Sequence, residues 1–254
     1  MRFVDSHVHL SDYTGASSIL KFATATQMHL FACSTDEGSS RRTVEIARQN
    51  PELVSAFVGV HPSEAQTHPG VGWFQGLLVD ASGAGEIGLD PKYSDVGAGS
   101  PQRNVFREQL EKVEAAGKPV QVHSRNAEDV CLDELGTHRL PSVLLHWFSG
   151  ESELGRAEQG GYYISFGPAL LESRKLQRMA AKYSEDLVLV ESDGPVPFAS
   201  LGGADGPLLA PSVVFKLAEV KGVSFEEMAE TTTRNASAYL PAPGKVKPTT
   251  ESGS

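Results

Sequence analysis

Cysteine is scarce in this 254-residue sequence, which contains two cysteines, Cys33 and Cys131, almost a hundred positions apart. Two distant thiols exclude a disulfide framework and a metal site built from cysteine, since such a site needs several sulfur ligands close together. We therefore expect both cysteines to be small buried side chains.

Long apolar runs are also missing. No stretch approaches the ~20 apolar residues of a membrane-spanning helix, and the first residues lack the apolar region of a signal peptide. The sequence therefore predicts a cytoplasmic protein with no membrane partner.

Positive charge is in deficit, with a formal net charge of −10. Proteins that grip long stretches of nucleic acid are usually basic, so this balance argues against extensive wrapping of a phosphate backbone. A small nucleic-acid site stays possible, because bound divalent cations reverse the local field.

The sequence does contain a regular alternation of short apolar runs and amphipathic segments. The apolar runs predict strands near Arg2–Val8, Met28–Ser34, Leu53–Gly59, Gly83–Gly88, Pro119–His123, Ser142–His146, Tyr162–Phe166 and Leu187–Glu191. The amphipathic segments predict helices at Ser39–Gln49, Pro101–Ala116, Ala127–Leu135, Ser173–Tyr183, Pro211–Lys221 and Phe225–Tyr239.

This alternation indicates βαβ units and a parallel sheet. Eight units in about 250 residues predict an α/β fold, a single (β/α)8 TIM-like barrel over residues 1–240 with its active site at the C-terminal ends of the strands. An open doubly wound sheet is the alternative, although no glycine-rich phosphate loop opens the first helix. The last segment, 241–254, is rich in Pro, Ser, Thr and Gly, which predicts a disordered tail.

Polar side chains recur where the predicted strands end. His7 and His9 are two residues apart in the first strand, so both imidazoles face the same side. His61, Glu86, His123, His146 and Asp193 end or follow later strands. Taken singly, each could be a hydrogen-bonded structural residue or a helix cap. Because a barrel brings these strand ends to one face, the repeated pattern favours a shared metal centre.

Six of these side chains form a candidate ligand set, namely His7, His9, Glu86, His123, His146 and Asp193. A single catalytic zinc typically has three protein ligands, so six predict two divalent ions with Glu86 as the bridge. Zn, Mn and Mg are the candidate ions, and imidazole ligands favour the transition metals.

The motifs around these residues resemble the TatD family of metal-dependent deoxyribonucleases, a branch of the amidohydrolase superfamily. The resemblance runs from Phe3 to about Leu240 and rests on Asp5–His9, Gly59–Pro62, Gly85–Asp90, Val122–Arg125, His146–Gly150 and Glu191–Pro195. It implies one metal held by His7, His9, Glu86 and Asp193. It implies a second held by Glu86, His123 and His146. Asp193 would also orient or deprotonate the attacking water, so Asp193 and Glu86 are the predicted catalytic residues.

The resemblance also implies contacts with the substrate. His61 resembles an additional site histidine of the family, and Arg125 would bind phosphate through its guanidinium fork, unless it forms a surface salt bridge. Trp147 or Phe148 would stack on a base or sugar, unless both pack against the barrel rim. Many members carry Cys where Trp147 stands, and the aromatic residue Phe198 comes later than usual, which bears on substrate preference.

The expected activity is therefore hydrolysis of phosphodiester bonds in DNA, as an exonuclease acting on single-stranded or frayed ends. The alternative is hydrolysis of an ester or amide, such as D-aminoacyl-tRNA deacylation, because the same activated water can attack a carbonyl. Many two-metal relatives bridge their ions with a modified lysine, so Glu86 favours the phosphodiester branch. A non-catalytic binding barrel is disfavoured, since every ligand position is occupied by a suitable side chain. His29, His68 and His138 are expected to be structural.

Overall fold

The structure is a computed structural model that describes residues 3–67 and 71–240. The expectations for His68 and for the tail at 241–254 lie outside the described residues.

Eight strands form one parallel sheet whose spatial order follows the chain order, β1 to β8. Their bounds are β1 Phe3–Val8, β2 Met28–Ala32, β3 Val54–Val58, β4 Gly83–Gly88, β5 Val120–His123, β6 Val143–His146, β7 Tyr163–Phe166 and β8 Val188–Val190. The predicted barrel and all eight predicted strands are confirmed, although several strands end one or two residues earlier than expected. The strands are short, as is usual for a parallel barrel of this kind.

In the described part of the chain, nine α-helices lie between or after the strands, and two of them follow β8. They are α1 Ala16–Thr26, α2 Glu37–Gln49, α3 Phe74–Asp80, α4 Pro101–Ala116, α5 Glu128–Leu135, α6 Leu154–Gln159, α7 Arg174–Lys182, α8 Ala210–Lys221 and α9 Phe225–Tyr239. Helices α1, α3 and α6 were not predicted. The last two have seven and six residues, too few for a helical period to show in the sequence. Within 3–67 and 71–240, no helix is both long and apolar enough to cross a membrane.

Hydrogen bonds connect β1 with the end of β8 and the segment that follows it, where the first and last strands of the barrel meet. The Ser6 hydroxyl donates to the carbonyl oxygen of Val190 at 2.8 Å, and the Asp193 backbone N–H donates to the carbonyl oxygen of His7 at 3.0 Å. The chain that follows β8 is therefore held against β1 at the mouth of the barrel.

Apolar side chains pack in two layers. The larger layer lies between the strands and the surrounding helices, as the burial of Val120, Val122 and Leu145 illustrates. The smaller layer fills the barrel interior, with members Phe31, Cys33, Phe57, Leu144, Leu189, Ala236 and Tyr239. Cys33 and Cys131 are both free and buried, as the sequence predicts.

Two irregularities in strand register fall at positions that carry site residues. On β1 the pairing steps from Asp5 to Val8 while β2 advances two residues, and the extra residue lies beside His7. On β4 the step from Ala84 to Ile87 contains Glu86. A bulge redirects a side chain without ending the strand, so both irregularities turn polar groups toward the barrel mouth.

Strands β4 and β5 approach so closely after Glu86 that Gly88 is required. Gly88 has φ 147°, and an added Cβ would lie 1.9 Å from the carbonyl oxygen of His123. That oxygen accepts a hydrogen bond from the Leu89 backbone N–H at 3.0 Å. The close approach therefore places the Glu86 and His123 segments side by side.

We expect Gly88→Ala to lower the free energy of unfolding by more than about 1 kcal/mol, because alanine cannot adopt this φ without strain and its Cβ would overlap backbone. Urea unfolding of the variant measures the loss. The matched control is Gly155→Ala at an exposed position of α6, where an added Cβ meets nothing within 4 Å. Equal stability of the two variants would contradict the steric account.

Candidate metal centre

A cavity of about 730 Å³ opens at the carboxyl ends of the strands. Of the predicted site residues, the structure places His9, His61, Glu86, His123, Arg125, His146, Trp147 and Asp193 in its wall. His7 lies directly beneath, fully buried, with its ring stacked on that of His146 at 3.7 Å between centroids. All nine predicted side chains are therefore brought together.

The Glu86 carboxylate stands between two pairs of imidazoles. Its Oε2 lies 3.3 Å from Nε2 of His9 and 3.7 Å from Nε2 of His7. Its Oε1 lies 2.6 Å from Nδ1 of His123 and 3.4 Å from Nε2 of His146. Each carboxylate oxygen thus faces a different pair of ring nitrogens.

Asp193 completes the half of the centre that contains His7 and His9. Its Oδ1 lies 3.4 Å from Nε2 of His9 and 3.7 Å from Nε2 of His7. Asp193 has a φ of 50°, which its backbone hydrogen bond to β1 helps to hold. The carboxylate therefore points into the cavity from the segment that follows β8, across the barrel mouth from Glu86.

Buried hydrogen-bond acceptors orient the rings of His7 and His146 on the side that faces away from Glu86. Nδ1 of His7 lies 2.7 Å from Oε1 of Gln121, and Nδ1 of His146 lies 2.9 Å from Oε2 of Glu191. A ring that donates from Nδ1 keeps the Nε2 lone pair for a ligand. In both residues Nε2 is the atom that faces Glu86.

His123 is oriented the other way round. Its Nε2 lies 2.9 Å from Oδ2 of Asp90, so its Nδ1 faces Glu86. Asp90 also binds the Arg125 guanidinium at 2.6 Å, which confirms a salt bridge for this arginine although it still lines the cavity. The guanidinium carbon lies 5.8 Å from the centre of the Tyr93 ring.

His61 lies closer to the centre than a peripheral substrate contact would. Its Nδ1 accepts from the Ser63 backbone N–H at 3.1 Å, so the neutral ring carries its proton on Nε2. That Nε2 lies 3.8 Å from Oε1 of Glu86. Burial lowers the pKa of His61 to about 4, and the attraction of Glu86 is too weak to reverse this, so the ring is neutral near pH 7.

Two aromatic residues, Trp147 and Phe148, follow His146 and were the alternatives for a contact with substrate. Phe148 is 1% exposed and packs in the core, which leaves Trp147 as the one of these two rings that can face a substrate. Trp147 has a φ of 42° and lines the cavity, with its ring stacked on Phe198 at 5.8 Å between centroids. Phe198, the aromatic residue that comes later in the sequence than in many family members, thus supports the Trp147 ring from the loop after β8.

Buried charges set the pKa values of the centre. Burial alone would raise the pKa of Glu86, but the imidazoles of His61, His146 and His123 hold it well below its usual range. Burial would lower the pKa of His9, but Asp193 and Glu86 outweigh it and raise the pKa to about 10. Without a metal, the carboxylate is therefore ionised and the facing ring is protonated.

The side chains fit divalent metal ions. Among the described residues, three groups of side chains each have their possible ligand atoms within 4.8 Å of one another. They are His7, His146 and Asp193; His7, His9 and Glu86; and His61, Glu86 and His123. Such mixed nitrogen and carboxylate sets suit Zn, Mn or Fe. A buried carboxylate with each oxygen facing two ring nitrogens is an arrangement that metal ions would stabilise.

The architecture thus defines a (β/α)8 barrel with a histidine and carboxylate centre at its mouth. Comparison with known proteins then gives the family: a model described as TatD-related DNase matches residues 4–241, and the chain belongs to this family. The resemblance seen in the sequence motifs is confirmed.

Comparisons with individual proteins agree with this family assignment. The chain is 28% identical over 248 residues to the metal-dependent hydrolase YabD of Bacillus subtilis, covering 91% of this chain and 96% of that protein. It is 27% identical over 260 residues to the human deoxyribonuclease TATDN3, covering 94% of each. The crystal structure of the TatD homologue YJJV from Escherichia coli superposes with a TM-score of 0.80 at 25% identity, covering 95% of this chain and 98% of that one.

Three residues near the centre were not singled out from the sequence: Asp90, Gln121 and Glu191. Glu191 and Gln121 each lie two residues before a predicted ligand, where strand alternation places them on the same side. That spacing was the available signal. His29 and His138 lie elsewhere, hydrogen-bonded to Ser55 at 2.8 Å and Glu114 at 2.8 Å.

We expect metal binding to release protons, and the apparent affinity to rise as pH increases toward 9. Burial opposes charge on His123, but Glu86 and Asp90 raise its pKa to about 9, so His123 and His9 are both protonated at pH 7 without metal. Ligation requires neutral rings. Titration calorimetry in buffers of different ionisation enthalpy counts the released protons.

A His29→Gln variant should release the same number of protons, because His29 lies outside the centre. Binding without proton release at pH 7 would contradict the charge distribution described here.

Proposed function

We propose that this protein is a two-metal hydrolase that cleaves phosphodiester bonds in DNA, acting as an exonuclease. The observation that carries the proposal is the position of Glu86, whose two oxygens face separate pairs of imidazoles. Relatives named as deoxyribonucleases and as metal-dependent hydrolases support it.

The proposed ligands follow the two sides of Glu86. One ion would be held by His7, His9, Glu86 and Asp193. The other would be held by Glu86, His123 and His146. When bound, such a pair of ions would acidify a water molecule and neutralise charge on phosphate oxygens. His61 lies next to the ligands of the second ion. Its neutral ring carries a proton on Nε2, which is suited to a hydrogen bond with substrate.

Asp193 is the proposed proton acceptor. Its carboxylate lies in the cavity wall, and although burial opposes ionisation, His146, His9 and His7 lower its pKa. It is therefore ionised at neutral pH and can accept the proton of an attacking water.

Arg125 and Trp147 are the proposed substrate contacts. The Arg125 guanidinium is held by Asp90 at 2.6 Å, with 42% of its side chain exposed, so it can offer further N–H groups to a phosphate. Trp147, supported by Phe198, offers a ring face to a base. A phosphate and a base would thus contact neighbouring parts of the cavity wall.

The sparse positive charge favours short, single-stranded or frayed substrate ends over intact duplex. Along the described chain, Arg125 is the one Lys or Arg that lines the cavity. Duplex-binding surfaces neutralise several phosphates. A single guanidinium suits one phosphate near a strand terminus.

The same observation keeps a second candidate open, the hydrolysis of an ester or amide such as D-aminoacyl-tRNA deacylation. Attack on a carbonyl requires no contact with a phosphate, so a cavity with a single arginine is compatible with this activity. Cleavage assays on both substrate classes separate the two activities.

The first experiment strips the protein with a chelator and restores Mg, Mn, Zn or Co separately. End-labelled single-stranded DNA should then be shortened from its ends, with duplex cleaved more slowly. Asp193→Asn and Glu86→Gln should each lower kcat/KM by several orders of magnitude, because a proton acceptor or a shared ligand is lost.

The control is Asp133→Asn, a similar change at an exposed residue that pairs with Arg156. It should cleave at the wild-type rate. If two ions bind but DNA stays intact with every metal, the nuclease proposal is wrong and ester or amide substrates become the leading class.

Arg125→Ala should lower kcat/KM on DNA by roughly 10- to 100-fold, the effect of losing one charge-assisted hydrogen bond of about 1.5–3 kcal/mol. Arg178→Ala, which removes an exposed arginine paired with Glu151, is the matched control and should leave the rate unchanged. Steady-state kinetics on a short oligonucleotide measures both. An unchanged rate in Arg125→Ala would remove Arg125 from the substrate contacts.

A further inference from the structure

A buried amide lies under the candidate metal centre. Gln121 is in β5, two residues before His123, and its residue exposure is 0%. Its Oε1 lies 2.7 Å from Nδ1 of His7 and 2.9 Å from Sγ of Cys33. A strongly polar side chain is thus placed in a barrel interior that is otherwise packed with Phe57, Leu144 and similar residues.

The chemistry of these contacts determines where protons lie. An amide oxygen can only accept, so Cys33 donates its S–H and His7 donates from Nδ1. A neutral His7 then carries its lone pair on Nε2. That atom faces Glu86 and Asp193, each at 3.7 Å.

The surroundings restrict movement of both side chains. The backbone of Gln121 is in register with Leu144 of β6. Gly85 packs against its side chain so tightly that an added Cβ would lie 2.9 Å from the Cβ of Gln121. The His7 ring is stacked on His146 with an interplanar angle of 13°. These contacts hold the first carbons of the Gln121 side chain against β4 and the His7 ring against β6.

We propose that Gln121 is a positioning residue: it fixes the tautomer and the ring orientation of His7, so that Nε2 is presented to a divalent ion. The inference rests on the metal centre of the proposed function. Strand β5 then contributes twice to the centre, with His123 as a ligand and Gln121 as the acceptor that orients a ligand on β1.

The test compares metal affinities of purified, chelator-treated full-length variants by calorimetry with Zn or Mn. Gln121→Met keeps the shape but removes the acceptor, and should weaken one of the two binding events about 10- to 100-fold. Gln121→Glu restores an acceptor for Nδ1–H and should bind within a few-fold of wild type. Because Gln121→Met keeps the shape of the side chain, a role in packing alone predicts no loss of metal affinity in that variant.

Leu144→Val is the matched control. It alters packing at the position paired with Gln121, and should lower thermal stability without changing metal affinity. A spectroscopic readout tests the position of the His7 proton directly. In zinc-loaded protein with 15N-labelled histidine, the Nδ1 proton of His7 should be present and slow to exchange, and should be lost or exchange faster in Gln121→Met.

Three results would overturn the inference: equal metal affinity of Gln121→Met and wild type, an equal loss in Leu144→Val, or a His7 proton on Nε2. If wild type binds no metal, the centre and the role of Gln121 both fail. If two ions bind with the expected variant pattern but DNA is not cleaved, the substrate proposal alone fails.

Discussion

The burial of one carboxylate constrains the whole mouth of this barrel. The Glu86 side chain is 3% exposed, and an ionised carboxylate in such a place is costly unless charged or hydrogen-bonding partners surround it. Histidines that follow or belong to β1, β3, β5 and β6 supply those partners. Because they come from separate strands, the barrel must be correctly closed for Glu86 to be compensated at all.

Closure and chemistry therefore depend on the same local features. The register irregularities at His7 and Glu86 turn side chains toward the mouth, and Gly88 allows β4 to approach the carbonyl of His123. Behind the rings, Gln121 and Glu191 place hydrogen-bond acceptors in the interior at a cost in apolar packing. Such polar groups are more easily explained by a need to orient imidazoles than by stability.

Much of the fold was predictable because parallel strands leave short apolar runs and their carboxyl ends share one face. The same reasoning brought His7 and Asp193 together from opposite ends of the sequence. Helices α3 and α6 were missed, since each spans two turns or fewer. The burial of Phe148 was not predictable either, because adjacent residues at a strand end diverge, and only the backbone of Trp147 decides which ring faces the cavity. Partners such as Asp90 and His123 depend on strand register, which the sequence pattern does not reveal.

In the proposed site, Glu86 joins two metal sites into one centre. Anomalous diffraction from crystals soaked in Mn tests it most directly, since each ion gives its own peak. We expect two peaks roughly 3.5–4 Å apart, on either side of the Glu86 carboxylate, one beside His7 and His9 and the other beside His123 and His146. A single peak, or peaks that do not contact Glu86, would contradict it.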